Sequence, residues 1–282
     1  MSRPSIIAFL FVLLALAIIA PVEPVDPWGL FSPGKISLMI FVLAVLQFSG
    51  SQLRRAMGRR AGALLSGFFG GIISSTATTA ALAKRSKDGG DGHTHETHLM
   101  FLAATAAMLI QSLALILAGT TGLHWELLLV LGLPMLLLAA LIVKHARIKH
   151  QMAADSALSS EFRILPILLL AGFIALILAL SQILQMVFGQ RGLLVLTFIV
   201  SLFEVHGSLI ANVQLHDVGT INAPLLANLV ALSLLASMLS KLALVGVFGS
   251  ETLKRAVFRT TLGMSLALLI GWSLAMTLLS ST

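Results

Sequence analysis

Apolar residues in this chain come in long runs rather than in alternation. The runs 36–53, 61–83, 99–119, 126–143, 164–188, 192–213, 224–248 and 260–279 carry few charges, and mostly short polar connections part them. About 20 such residues make a helix that crosses 30 Å of hydrocarbon. The pattern therefore predicts an all-α polytopic membrane protein. A further run, 5–20, is shorter than that length and has Arg3 in front of it. It reads as an uncleaved anchor span in preference to a cleaved signal peptide. A proline-rich linker, 21–33, follows, with Trp28 suited to a membrane interface.

The runs repeat. At a constant offset of 130, Ser51-Gln52 matches Ser181-Gln182, Gly62 matches Gly192, Phe68 matches Phe198, Met108-Leu109 matches Met238-Leu239 and Gly119 matches Gly249. This divides the chain into an anchor and linker (1–35), a first membrane unit (36–150) and a second (151–282). Each unit holds four hydrophobic segments.

One segment breaks the apolar rule. Gly70-Gly71-Ile72-Ile73-Ser74-Ser75-Thr76-Ala77-Thr78-Thr79 places two glycines and five hydroxyls in ten residues. Glycine loosens a helix, and Ser and Thr offer hydrogen bonds that compete with its backbone ladder. In a bilayer such a run is tolerated where it packs closely on protein or lines a wet cavity. Two readings follow, a small-residue packing face or one wall of a membrane-embedded site.

Charge changes the topology. If every run crossed, lysine and arginine would divide nine to eight between the two sides. If 61–83 and 192–213 each dip in and return, fifteen lie on one side and only Lys35 and Arg191 on the other, with Lys241 inside a span. Orientation follows Lys/Arg asymmetry in short loops, so the second arrangement is expected. It makes the units an inverted repeat, an architecture that places a binding site where broken segments meet near the midplane.

Composition agrees with this class: 58% of residues are hydrophobic, 10% are charged, and mean hydropathy is +1.02. Soluble domains carry roughly 25% charged residues. The net charge of +7 reflects basic loops and not nucleic-acid binding. With no cysteine, disulfides, thiolate metal sites and cysteine catalysis are excluded.

The offset carries Ser74-Ser75-Thr76-Ala77-Thr78 onto Glu204-Val205-His206-Gly207-Ser208. An ionisable group inside a membrane costs at least ~2.5 kcal/mol on insertion scales and points to function. Glu204 with His206 would bind a cation or relay a proton; the competing reading is a buried pair, Glu204 with His206 or Lys241, that fixes packing. Lys241 and its repeat mate Gln111 are both polar within apolar runs, which suggests that they face the interior together. The candidate ion-binding set is Ser74, Ser75, Thr76, Thr78, Thr79, Glu204, His206, Ser208, Gln111 and Lys241. His93, His95 and His98 are spaced closely enough to hold a transition metal, against a plain solvated loop. No cofactor is expected.

The run Arg59-Arg60-Ala61-Gly62 through Gly70-Gly71-Ile72-Ile73-Ser74-Ser75-Thr76-Ala77-Thr78-Thr79 to Ala83-Lys84-Arg85 resembles the uncharacterised bacterial membrane domain often fused behind an MgtC/SapB domain. The resemblance covers the chain from about Pro33 onwards. Family members show an Asp-x-Asp in the second unit, where this chain has Glu204 and His206, so one carboxylate is kept. The resemblance implies a link to magnesium or other ion homeostasis.

The function expected is therefore an inner-membrane, multi-pass transporter or channel for a small ion, such as a divalent cation like magnesium, with its site between the two repeats. The alternative is a non-transporting regulator that binds another membrane protein. An intramembrane lipid enzyme ranks third, because no nucleophile accompanies Glu204 and His206, and the chain is not expected to be an enzyme. Expected partners are the lipid bilayer, the ion and a second copy or another membrane protein.

Overall fold

The computed structural model describes residues 3–57, 62–88, 94–120, 125–146 and 164–279. They form ten helices: α1 (Arg3–Ile19), α2 (Pro33–Met57), α3 (Ala63–Asp88), α4 (Thr94–Gly119), α5 (Trp125–Ala146), α6 (Ile164–Phe188), α7 (Gln190–Phe203), α8 (Val205–Asp217), α9 (Ala223–Phe248) and α10 (Glu251–Leu279). No strand occurs among the described residues. Seven helices are long and apolar enough to cross a membrane by length and composition. The repeat is visible in the elements, since α2 to α5 correspond in order to α6, α7 with α8, α9 and α10.

Two of the corresponding segments do not run straight. α3 carries a non-helical residue at Ser74 (φ −164°, ψ 106°). Its first arm, 63–73, lies parallel to α4. A Cβ on Gly67 would stand 2.6 Å from the Met100 Cα, and one on Gly71 2.5 Å from the Ala104 Cα. Yet the far end of α3 returns to the start of α4. Ser86 Oγ accepts the Ser250 N–H at 3.0 Å, and Thr94 Oγ1 lies 3.1 Å from Thr252 Oγ1. A straight helix would separate residues 67 and 86 by about 29 Å at ~1.5 Å per residue. α3 is a hairpin whose tip is Ser74.

The second unit repeats this. α7 ends and α8 begins at Glu204 (φ −143°, ψ 95°). Thr197 Oγ1 donates to Asn212 Oδ1 at 3.2 Å, two residues that a straight helix would hold about 22 Å apart. α7 and α8 are therefore two arms folded against each other. Both segments thus fold back on themselves, the shape that the arrangement expected from charge requires.

Contacts between helix ends fix the sides. The ends of α3 and α9 and the starts of α4 and α10 meet through Ser86, Ser250, Thr94 and Thr252. The start of α4 also reaches the end of α5, where the His95 and His145 rings stack at 5.2 Å. This is the side that carries Arg54, Arg55, Lys84, Arg85 and Lys144. On the opposite side Lys35, at the start of α2, pairs with Asp217, at the end of α8, and Gln214 donates to Ser32 at 2.8 Å. The end of the α3 hairpin thus lies on one side and the equivalent end of α8 on the other, so the units are inverted.

Outward faces are apolar, as lipid requires. Leu165, Leu168, Leu169, Leu176 and Ile183 of α6 and Leu262, Leu266 and Ile270 of α10 are exposed. α9 starts at an Asn222 cap, whose side chain accepts the Leu225 N–H at 3.0 Å.

The α1–α2 connection is held by Asp26, whose carboxylate accepts N–H bonds from Leu30 (2.8 Å), Phe31 (2.6 Å) and Trp28 (3.2 Å). Partial burial alone would raise this carboxyl; the backbone N–H groups outweigh it and hold it below its ordinary value. A depressed acid contributes stability above its unfolded value that is lost as pH falls through the folded one. Asp26→Ala is expected to speed hydrogen exchange of the Leu30 and Phe31 amides about tenfold at pH 7, with Asp26→Asn between it and the wild type. Equal exchange in all three would show that the carboxylate does not hold this loop.

Candidate functional site

The two hairpin tips share a local chemistry. Breaking a helix orphans backbone groups on both sides of the break, and in hydrocarbon these must be satisfied by protein. At Ser74 the hydroxyl accepts the Ala77 N–H at 3.2 Å, capping the second arm, 75–88. At Glu204 the carboxylate accepts the His206 N–H at 3.0 Å, capping α8. Both side chains serve as N-caps, the role that Ser and Asp fill most often, and they stand at equivalent positions of the repeat. The other side of the first break is closed by Gln111, whose amide donates to the Ile72 carbonyl at 2.8 Å.

Both tips open onto one cavity of about 160 Å³. Ile73, Ser74, Ser75 and Thr76 line it from the first hairpin, and Phe203, Glu204, Val205 and His206 from the second. α2 adds Leu43 and Gln47, and α6 adds Pro166, Ile167 and Leu170. The Glu204 side chain keeps 40% of its surface accessible, whereas that of His206 keeps 10%. Their Oε1 and Nδ1 atoms lie 3.4 Å apart, and His206 Nε2 has no hydrogen-bond partner among the described residues. The cavity thus combines hydroxyls, a primary amide, an imidazole and a carboxylate. Each second arm also aims its N-terminus at its tip, and a helix N-terminus favours negative charge.

Ser74, Ser75, Thr76, Glu204 and His206 are the members of the expected set that the cavity gathers. The rest lie elsewhere. Thr78 sits between the arms of α3, where its hydroxyl would be 2.9 Å from a Cβ on Gly70. Thr79 Oγ1 donates to the Ser75 carbonyl at 2.8 Å. Ser208 Oγ is 3.4 Å from Ser233 Oγ, on the α9 side. Gln111 holds the tip from behind, and Lys241 Nζ donates to Ser237 Oγ at 2.7 Å and contacts Met108 Sδ at 3.0 Å. Of the three histidines, His93 lies outside the described residues. His95 and His98 meet His145, with His98 edge-on to it at 4.9 Å, and His98 Nε2 lies 2.9 Å from Thr260 Oγ1. No group of three or more His, Cys, Asp or Glu among the described residues is placed to hold a metal.

Gln47 is the lining polar group outside the expected set, and its signal was one amide inside the apolar run of α2. Pro166, Ile167 and Leu170 gave none, being apolar residues at the start of an apolar helix.

A family model described as "Domain of unknown function (DUF4010)" matches residues 41–249, most of the chain and both hairpins. No curated protein and no solved structure matches it. The chain belongs to the DUF4010 family.

Proposed function

We propose that this member of the DUF4010 family is a transporter or channel for a small ion, working in the cell inner membrane with its site between the two hairpin tips. One observation carries the reading: Ser74 and Glu204, equivalent residues of two inverted units, open onto the same cavity. Inverted repeats with discontinuous segments suit alternating access, in which one unit rocks against the other around a shared site.

The ligand chemistry favours a cation. Ser74, Ser75 and Thr76 hydroxyls and the Gln47 amide offer oxygens, and Glu204 adds a carboxylate; hard cations such as magnesium and calcium take ligands of this kind. The resemblance to the domain found behind MgtC/SapB points the same way, to magnesium as the first cargo to try.

The test is a flux screen with the purified full-length chain in proteoliposomes, using Mg²⁺, Ca²⁺, Mn²⁺, Na⁺ and K⁺, each with and without a pH gradient. At least one cation is expected to move tenfold or more faster than in protein-free liposomes. Rates at the protein-free level for the whole panel would sink the reading.

A further inference from the structure

A buried polar seam runs from the cavity into the protein along α8 and α9. α8 and α9 are antiparallel neighbours joined by a short turn, and Ser208 Oγ meets Ser233 Oγ at 3.4 Å. One helical turn in each direction from that contact places Glu204 opposite Ser237 and leaves Lys241 just past the tip. Ser208, Ser233, Ser237 and Lys241 are all buried.

The repeat sets Lys241 beside a residue of known placement in the first unit. Gln111 touches the broken end of α3 at the Ile72 carbonyl, and Lys241 is the residue equivalent to Gln111. The first unit therefore has an amide at this position and the second an amine.

Lys241 is 1% exposed, so its amine is shut away from solvent. Its partners are the Ser237 hydroxyl (2.7 Å), the Ser237 carbonyl (3.5 Å) and the Met108 thioether (3.0 Å). None is a carboxylate, and Lys241 enters no ion pair among the described residues. A buried ammonium with no carboxylate in contact is costly, and it sheds a proton readily when a charge nearby changes. Lys84 of α3 lies over the Phe248 ring of α9 at 5.6 Å, and Glu204 and His206 stand at the hairpin tip between α7 and α8, both of which pack on α9. Beyond its end stand Glu251 and Lys254, paired with each other at 2.7 Å. Of these, Glu204 is the acid that shares the seam.

We propose that Lys241 carries the proton exchanged for the transported cation, which makes the protein a cation/proton antiporter. The inference rests on the cation-transport reading and names its coupling ion. With the cavity free of cation, the Lys241 ammonium balances the Glu204 carboxylate along the seam. A cation bound at Glu204 supplies that balance instead, and Nζ releases one proton to water, leaving a neutral amine hydrogen-bonded to Ser237. Release of the cation reverses the step, and one proton returns to Nζ.

The experiment follows cation and proton together in proteoliposomes of the full-length chain, with a pH dye inside and the cation panel outside. Wild-type protein is expected to move protons outward as the cation enters. Lys241→Gln, which copies the residue of the first unit, and Lys241→Met are expected to lower cation-driven proton movement at least tenfold while eluting as the wild type does on size exclusion. Lys241→Arg keeps the charge but cannot release a proton, so exchange is lost there too. Proton movement unchanged in Lys241→Gln overturns the proposal. Wild-type cation flux without proton movement overturns it as well and leaves the transporter reading standing. No cation flux from the wild type removes both.

Discussion

Glu204→Gln should lower cation flux at least a hundredfold, to the level of protein-free liposomes, without unfolding the chain. The amide keeps an oxygen that can accept the His206 N–H, so the cap on α8 survives in neutral form. What is lost is the formal negative charge of the cavity wall. A unit charge about 4 Å from a monovalent cation contributes roughly 4 kcal/mol at an effective dielectric near 20. That is close to three orders of magnitude in affinity, more for a divalent ion, and discounting for the accessible side of Glu204 still leaves two. Glu204→Asp, which keeps the charge on a shorter arm, should retain a measurable part of the flux. Ser74→Ala is the matched control: it removes the equivalent cap from the other tip and costs stability of about 1 kcal/mol, with no change in charge. Flux should therefore fall far more in Glu204→Gln than in Ser74→Ala, which removes one neutral oxygen of the cavity wall, while the melting temperature should fall in Ser74→Ala. Flux within twofold of the wild type in Glu204→Gln would remove the carboxylate from the site.

Much of this arrangement was legible before any coordinates, because three sequence signals agreed. Hydropathy marked the runs, the offset of 130 paired Ser74 with Glu204, and the lysine and arginine distribution required both segments to return to the side they entered. None of these depends on side-chain packing, which is why they survive translation into three dimensions. What they could not supply is the direction in which each hydroxyl points. Ser75 and Thr79 stand one turn apart on the same arm, yet Ser75 reaches the cavity while the Thr79 hydroxyl turns back to the Ser75 carbonyl. That choice is made by neighbours far along the chain. His145 is a similar case: nothing in 94–98 announces that α5 will bring a third imidazole beside His95 and His98. The packing reading offered for the glycine-hydroxyl run holds at its glycines. Gly67 and Gly71 form a packing face against α4, and Ser74 to Thr76, one turn on, line the cavity.

That packing face sets how deep the first tip reaches, and its removal should be the most damaging change in the membrane core. A Cβ at position 71 would meet the Ala104 Cα at 2.5 Å, and one at position 67 the Met100 Cα at 2.6 Å. The obstacles are backbone atoms of α4, which cannot swing aside as a flexible side chain can. Small residues four apart let helices approach this closely, and in lipid that approach supplies packing that the hydrophobic effect does not. Gly71→Leu must therefore push the first arm of α3 away from α4. Overpacking of this kind costs about 1–3 kcal/mol and occasionally more, and here it also pulls Ile72 from the Gln111 amide and moves Ser74 out of register with Glu204. The expected outcome is loss of the monodisperse peak on size exclusion, or a melting temperature lowered by 10 °C or more. Gly246→Leu is the comparison, because a Cβ there meets nothing within 4 Å; it should behave as the wild type. Equal stability of the two variants would mean that α3 does not rest on α4 through these glycines. Flux separates the two roles of the run. Gly71→Ala, the mildest intrusion, should lose transport before it loses the fold, since a Cβ 2.5 Å from the Ala104 Cα shifts the first arm and with it the tip that Ser74 caps.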